Sequence, residues 1–128
     1  MGYPGRLHRL IEEGKWEGVL ELVSNDTSAS EEMKVPYRDS LPIHMVCEKR
    51  APDGVILAIL RAFPDAARST GRGGNLPLHI ATHRNLSTDV IESLIREHPE
   101  ALDEMNKSNF TPRNIGHSDI VAFQALRR

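Results

Sequence analysis

The chain of 128 residues has a single cysteine, Cys47, so no disulfide can close within it. At that length a hydrophobic core forms without metals or cross-links, and a lone thiol fits a reducing compartment. A basic excess is also lacking: 16 Lys and Arg stand against 18 Asp and Glu, and aromatics make up only 5% of the residues. Generic nucleic-acid binding needs such an excess, so that class is excluded, although a local basic patch is not. No apolar run approaches membrane-spanning length. The start Met1-Gly2-Tyr3-Pro4-Gly5-Arg6 has no apolar leader, and Arg6 stands where a myristoylation motif needs Ser or Thr. The expected location is therefore intracellular, cytoplasmic or nuclear. The sequons at Asn25, Asn85, Asn106 and Asn109 are read as chance matches.

What the chain does contain is an internal echo. Leu41-Pro42-Ile43-His44-Met45-Val46-Cys47 returns as Leu76-Pro77-Leu78-His79-Ile80-Ala81-Thr82, a step of 35 residues. The same step carries Val55-Ile56 onto Val90-Ile91, Arg61 onto Arg96 and Pro64 onto Pro99, and it takes Pro77 to Thr111-Pro112. A fixed period of about 20 to 50 residues is the signature of stacked repeats. A step of 36 relates a weaker N-terminal copy, with His8 matching His44 and Val19 matching Val55.

Each clear copy parses as turn, short helix, turn, longer helix and extended linker. Pro42 and Pro77 are expected to open the short helices, because proline at the first helical position forfeits an N–H that would be unpaired anyway. These helices run to about Lys49 and Arg84. Val55, Ile56, Ile59 and Leu60, matched by Val90, Ile91, Leu94 and Ile95, form one apolar stripe on each longer helix. Ser87 or Thr88 caps the second of these, and Phe63-Pro64 and His98-Pro99 end the pair. In the first copy Leu7, Leu10 and Ile11 make one helix face, and Val19, Leu20, Leu22 and Val23 belong to the next helix. The polar stretch from Ser24 to Asp39 is irregular, with a mobile loop at Ser24–Glu32.

These residues resemble the ankyrin repeat, in a variant where Leu-Pro-Leu-His replaces the commoner Thr-Pro-Leu-His. The resemblance implies an all-α, ankyrin-like solenoid of about four helix-turn-helix repeats, at about 5–38, 39–73, 74–108 and 109–128, with degenerate caps at both ends, as one domain. It implies that Pro42 and Pro77 start inner helices, that His44 and His79 tie neighbouring turns, and that Ala81 permits close packing. Val46 departs from that small residue. The last copy keeps Thr111-Pro112 but has Arg113, Asn114 and Gly116 where the motif has leucine, histidine and alanine, as a terminal cap would. Gly116–Val121 also resembles the usual start of a second helix.

Several chemical constellations have a plainer alternative. His79 and His83 have metal-binding spacing but lack an evident third ligand. Asp39, Ser40 and His44 are triad residue types outside a nucleophile elbow. Gly71-Arg72-Gly73-Gly74 lacks the phosphate loop's lysine and hydroxyl residue and reads as a turn. Cys47 and Trp16 read as packing residues, and so do Met45, Ile80 and Ile115, which recur every 35 residues and are assigned to a shared core position. Ser28 and Ser30, close to Glu31-Glu32, fit either an acidophilic kinase site or a capping box.

The expected function is a non-enzymatic interaction module, without cofactor or metal, which binds a protein or peptide of acidic character and neither nucleic acid nor membrane. It is expected to be monomeric by itself. The family's variable surface maps to Tyr37, Arg38, Ser40, Arg72, Asn75, Lys107 and Phe110 on finger turns, and to Glu48, Lys49, His83 and Arg84 on inner helices. Packing of Tyr37 and Phe110 between fingers is the alternative for those two. The competing functions are a structural scaffold within a larger repeat protein and, more remotely, a metal protein or enzyme.

Overall fold

The computed structural model describes residues 5–25 and 31–115. Among them the regular elements are helices, and the one β-type pairing is an isolated antiparallel bridge between Tyr37 and Ser40. Seven α-helices have both ends in this range: α1 Arg6–Glu12, α2 Trp16–Asn25, α3 Pro42–Glu48, α4 Asp53–Ala62, α5 Pro77–His83, α6 Thr88–Glu97 and α7 Pro112–Ile115. Helices α1, α3, α5 and α7 touch in that order, as do α2, α4 and α6, and each of α1, α3 and α5 packs on the helix that follows it. The result is two layers of helices with one continuous core between them. Leu7, Ile11, Ile43, Val46, Leu78 and Ala81 meet Val19, Ile56, Ile59, Val90, Ile91 and Leu94 there. Burying each large aliphatic side chain contributes about 1.5–3 kcal/mol.

The short helices begin where proline sets them, at Pro42, Pro77 and Pro112. Their ends follow a rule less visible in the sequence. Gly14, Arg50 and Asn85 have φ of 71°, 55° and 58°. The N–H groups of Lys15, Ala51 and Leu86 then reach back to the carbonyls of Leu10, Val46 and Ala81 at 3.0, 3.0 and 2.9 Å. This is the Schellman closure, in which one left-handed residue lets the chain satisfy the last helical carbonyls. It turns the chain sharply into the antiparallel partner helix at the same point in three units.

The longer helices stop at Phe63 and His98, as the following prolines require, and Ser87 caps α6 by accepting from the Val90 N–H at 3.3 Å. The segments after these prolines are 3-10 helices, Pro64–Arg68 and Pro99–Asp103, and not the extended linkers expected. The reason is burial: Ala66, Ala67, Ala101 and Leu102 face the core, and a tight helical turn presents two adjacent apolar residues to it. Buried His98 stands 35 positions beyond Phe63. Its Nε2 meets the Glu104 carboxylate, and Arg68 donates to its Nδ1 and to the Glu97 carbonyl, at 3.3 and 3.1 Å.

Of the polar stretch from Ser24 to Asp39, residues 26–30, the centre of the expected mobile loop, lie outside the described residues, and the flanks carry defined contacts. Ser24 and Asn25 finish α2, and Met33 is fully buried. Glu32 accepts from the Leu7 and His8 backbone N–H groups at 2.9 and 3.3 Å, and so caps α1 from 24 and 25 residues away. Gly5 permits that approach, since a Cβ there would lie 2.1 Å from the Glu32 carboxylate. Ser28, Ser30 and Gly116–Val121 lie outside the described residues. In the first unit Leu7, Ile11, Val19 and Leu22 are buried, whereas Leu20 is 36% exposed. Trp16 is half-buried against the core and Cys47 is fully buried, as packing residues should be.

Candidate interaction groove

Between the longer units the chain makes tight fingers, and two histidines hold them in place. The His44 Nδ1 accepts the Leu41 N–H at 3.0 Å, which leaves its Nε2 to donate to the Ser69 carbonyl at 2.8 Å. His79 repeats the arrangement: Nδ1 accepts from Leu76 at 2.9 Å, and Nε2 lies 2.9 and 3.0 Å from the Glu104 and Phe110 carbonyls. Burial pushes both imidazoles below their ordinary value, partly offset by the backbone bonds, so both are held neutral. His8 departs from the pattern. Its Nδ1 lies 3.3 Å from the Glu32 carboxylate and its ring sits edge-on to Tyr37.

With both ring nitrogens engaged by backbone, His44 has none to spare for Ser40, so the triad residue types are not assembled. The same engagement keeps His79 from serving with His83 as a metal ligand. Among the described residues no group of three or more His, Cys, Asp or Glu is placed to hold a metal ion. Burial raises the Cys47 thiol to about 12, which makes it a poor nucleophile. Gly71-Arg72-Gly73-Gly74 is a turn, its Gly74 N–H bonded to the Gly71 carbonyl at 3.0 Å.

The fingers are joined to one another. Arg72 Nη2 donates to the Arg38 carbonyl at 3.3 Å, and the Lys107 N–H donates to the Gly73 carbonyl at 2.9 Å. Asn106 donates its side-chain amide to Asn75 at 2.8 Å. Gly74 has φ of 71°, and a Cβ there would lie 3.0 Å from the Lys107 side chain and 3.1 Å from its backbone nitrogen, so this finger spacing favours glycine.

Fingers and short helices together border a groove of about 440 Å³, within the size range of ligand sites, about 300–1,000 Å³. Tyr37, Arg38, Ser40 and Arg72 line it from the fingers, and Glu48, Lys49 and Arg84 from the ends of α3 and α5. Seven of the expected surface residues thus converge on one concavity. Glu12 and Met45 complete it and were not among those expected. Asn75 and His83 line a smaller neighbouring hollow of about 180 Å³ that shares Glu48. Lys107 and Phe110 line neither; Lys107 packs on Gly74, and Phe110 is exposed.

No protein-family model matches the chain, and no curated protein does. The reading of the groove therefore rests on its own chemistry. Of the three residues assigned to a shared core position, Ile80 belongs to the core and half-buried Met45 packs against it, while Ile115 is half-buried; all three also line the two hollows. Their period of 35 marks a shared side of the short helices, the side that faces the fingers.

The charges of the groove are unevenly paired. Arg84 donates Nε and Nη2 to one oxygen of Glu48, at 2.9 and 2.8 Å. The Arg38 guanidinium lies 5.1 Å above the Tyr37 ring, in cation–π range. Arg38, Lys49 and Arg72 have no carboxylate partner among the described residues. No helix of the described residues is long and apolar enough to cross a membrane.

Proposed function

We propose that this chain is an ankyrin-type repeat module that binds a protein or peptide segment in the groove between its fingers and short helices, without catalysing a reaction. The observation that carries this reading is the convergence of four finger residues and three short-helix residues, drawn from different units, on one concavity. The repeated histidine ties and the two-layer stacking support the ankyrin-type arrangement, as does the last copy. There Asn114 takes the histidine position and accepts the Thr111 N–H with its own side chain at 3.3 Å, as a closing unit would. A groove held by backbone bonds is preorganised, which lowers the ordering cost of binding.

The test is selective recovery of partners. Wild-type chain and the Lys49→Glu/Arg72→Glu variant are immobilised and exposed to native cell extract, and retained proteins are identified by mass spectrometry. Both substituted residues are exposed, so the thermal melt stays within a few degrees. Proteins retained by the wild type and lost by the variant support the groove; identical retention sinks it.

A further inference from the structure

We infer that the groove takes an extended acidic peptide, with a carboxylate side chain between Arg38 and Arg72 and an aliphatic side chain on Met45. The inference rests on the interaction-module reading and specifies its ligand.

Charge comes first. Four cations border the groove and only Arg84 is neutralised, by Glu48. Arg38, Lys49 and Arg72 are left facing the same space, and the carboxylate of Glu12 lies on the same lining. A chain of slightly negative net charge has thus gathered unpaired positive charge in one concavity. Such a field favours acidic partners and disfavours basic ones.

The first finger supplies the second observation. Its two central residues, Arg38 and Asp39, have φ of 55° and 65°, whereas the corresponding residues of the next finger are Gly73 and Gly74 at 73° and 71°. A turn with both central residues left-handed strongly prefers Asn-Gly or Gly-Gly. The first finger instead holds an arginine in the strained conformation. Its guanidinium is propped on Tyr37 and its carbonyl is held by Arg72. Arg50 has the same φ away from the groove; at Arg38 the conformation is coupled to the Tyr37 and Arg72 contacts, which hold the residue on the groove lining.

Arg72 reaches the Arg38 backbone and both arginines line the same groove, each carrying a forked donor that matches a carboxylate. Half-buried Met45 offers an adaptable apolar contact beside them.

The test uses an array of synthetic octapeptides in which Asp/Glu, Lys/Arg or Ser/Gln alternates with Leu, followed by fluorescence polarisation on labelled hits. Acidic peptides are expected to bind best, to weaken with added salt, and to lose at least tenfold in affinity on Arg38→Gly, although that variant melts higher than wild type. Arg72→Glu is expected to lose as much and to gain binding of the Lys/Arg peptides. Selection of basic or neutral peptides that Arg72→Glu and Ser40→Trp still disrupt overturns the acidic ligand and leaves the groove standing. Binding insensitive to every groove variant, or no binding by any peptide, overturns both. Displacement of the acidic peptides by millimolar inorganic phosphate, with tighter binding of a phosphoserine peptide, reassigns the groove to phosphate and also overturns the proposal.

Discussion

Arg84 and Glu48, 36 residues apart, form a two-pronged ion pair on the rim of the groove, both arginine nitrogens converging on a single carboxylate oxygen. Both side chains are close to half exposed, so their attraction is screened by water and contributes at most about 1 kcal/mol. Glu48→Ala should therefore barely move a urea midpoint. It should nevertheless tighten acidic peptides several-fold in a polarisation titration, because it frees a fourth cation.

Removing a histidine tie should cost much more. His44→Ala strands the buried Leu41 N–H and the Ser69 carbonyl, and each stranded group costs about 1–3 kcal/mol. Urea unfolding should show a loss of about 2–4 kcal/mol, since water reaches part of the site. His44→Asn should lose less, because the last unit shows asparagine making the same local bond, from the Thr111 N–H to Asn114.

The same histidines set a pH dependence. Both titrate below the ordinary 6.5 when folded, so the unfolded chain takes up protons first as the medium is acidified. Their contribution is complete above about pH 6.5 and is lost as pH falls from there toward the folded values, at up to about 1.4 kcal/mol per pH unit for each ring. Urea midpoints at pH 7.5 and 5.5 should differ in that sense, and the difference should shrink in His44→Asn. An unchanged difference would assign the acid sensitivity elsewhere.

Cys47 should resist modification in the native chain. It is fully buried and its thiol is raised to about 12, so a disulfide reagent at pH 8 meets almost no thiolate. Complete reaction is expected in denaturing urea, and reaction at the unfolding rate without it. Rapid native labelling would contradict the packing of α3.

Arg50→Gly should stabilise. Arg50 is exposed and left-handed, and relieving that conformation is worth about 0.5–1 kcal/mol once the extra freedom of the unfolded glycine is subtracted. A higher melting temperature with unchanged peptide affinity is the expected pair of results, which separates this position from Arg38.

The sequence made some parts of this molecule readable and hid others for a physical reason. Pro42, Pro77, the apolar stripe of Val90, Ile91, Leu94 and Ile95, and the stop at His98-Pro99 act within one or two turns of helix, and local chemistry decides them. Most of the groove residues were expected only through the resemblance to the ankyrin repeat, whose variable surface maps onto them. The cap that Glu32 puts on α1 was not, because nothing near Glu32 or Leu7 announces a bond spanning 25 residues. Met33 was lost inside a polar stretch for the same reason. Met45, Ile80 and Ile115 had the right period, but periodicity alone does not show that such a row also lines a groove. The pairing of Arg84 with Glu48 also depends on how far apart two successive short helices stand, a distance that no motif encodes.

The ties made by His44 and His79 both point forward, to carbonyls 25 residues further along the chain. During synthesis, a short helix of this kind leaves the ribosome with its imidazole lacking that acceptor, which arrives only at the end of the same unit, past the longer helix. Order of assembly is thereby coupled to order of translation: each short helix is tied only once the final segment of its own unit has emerged, and a chain interrupted after Pro64 would keep α3 but leave His44 without Ser69 to hold.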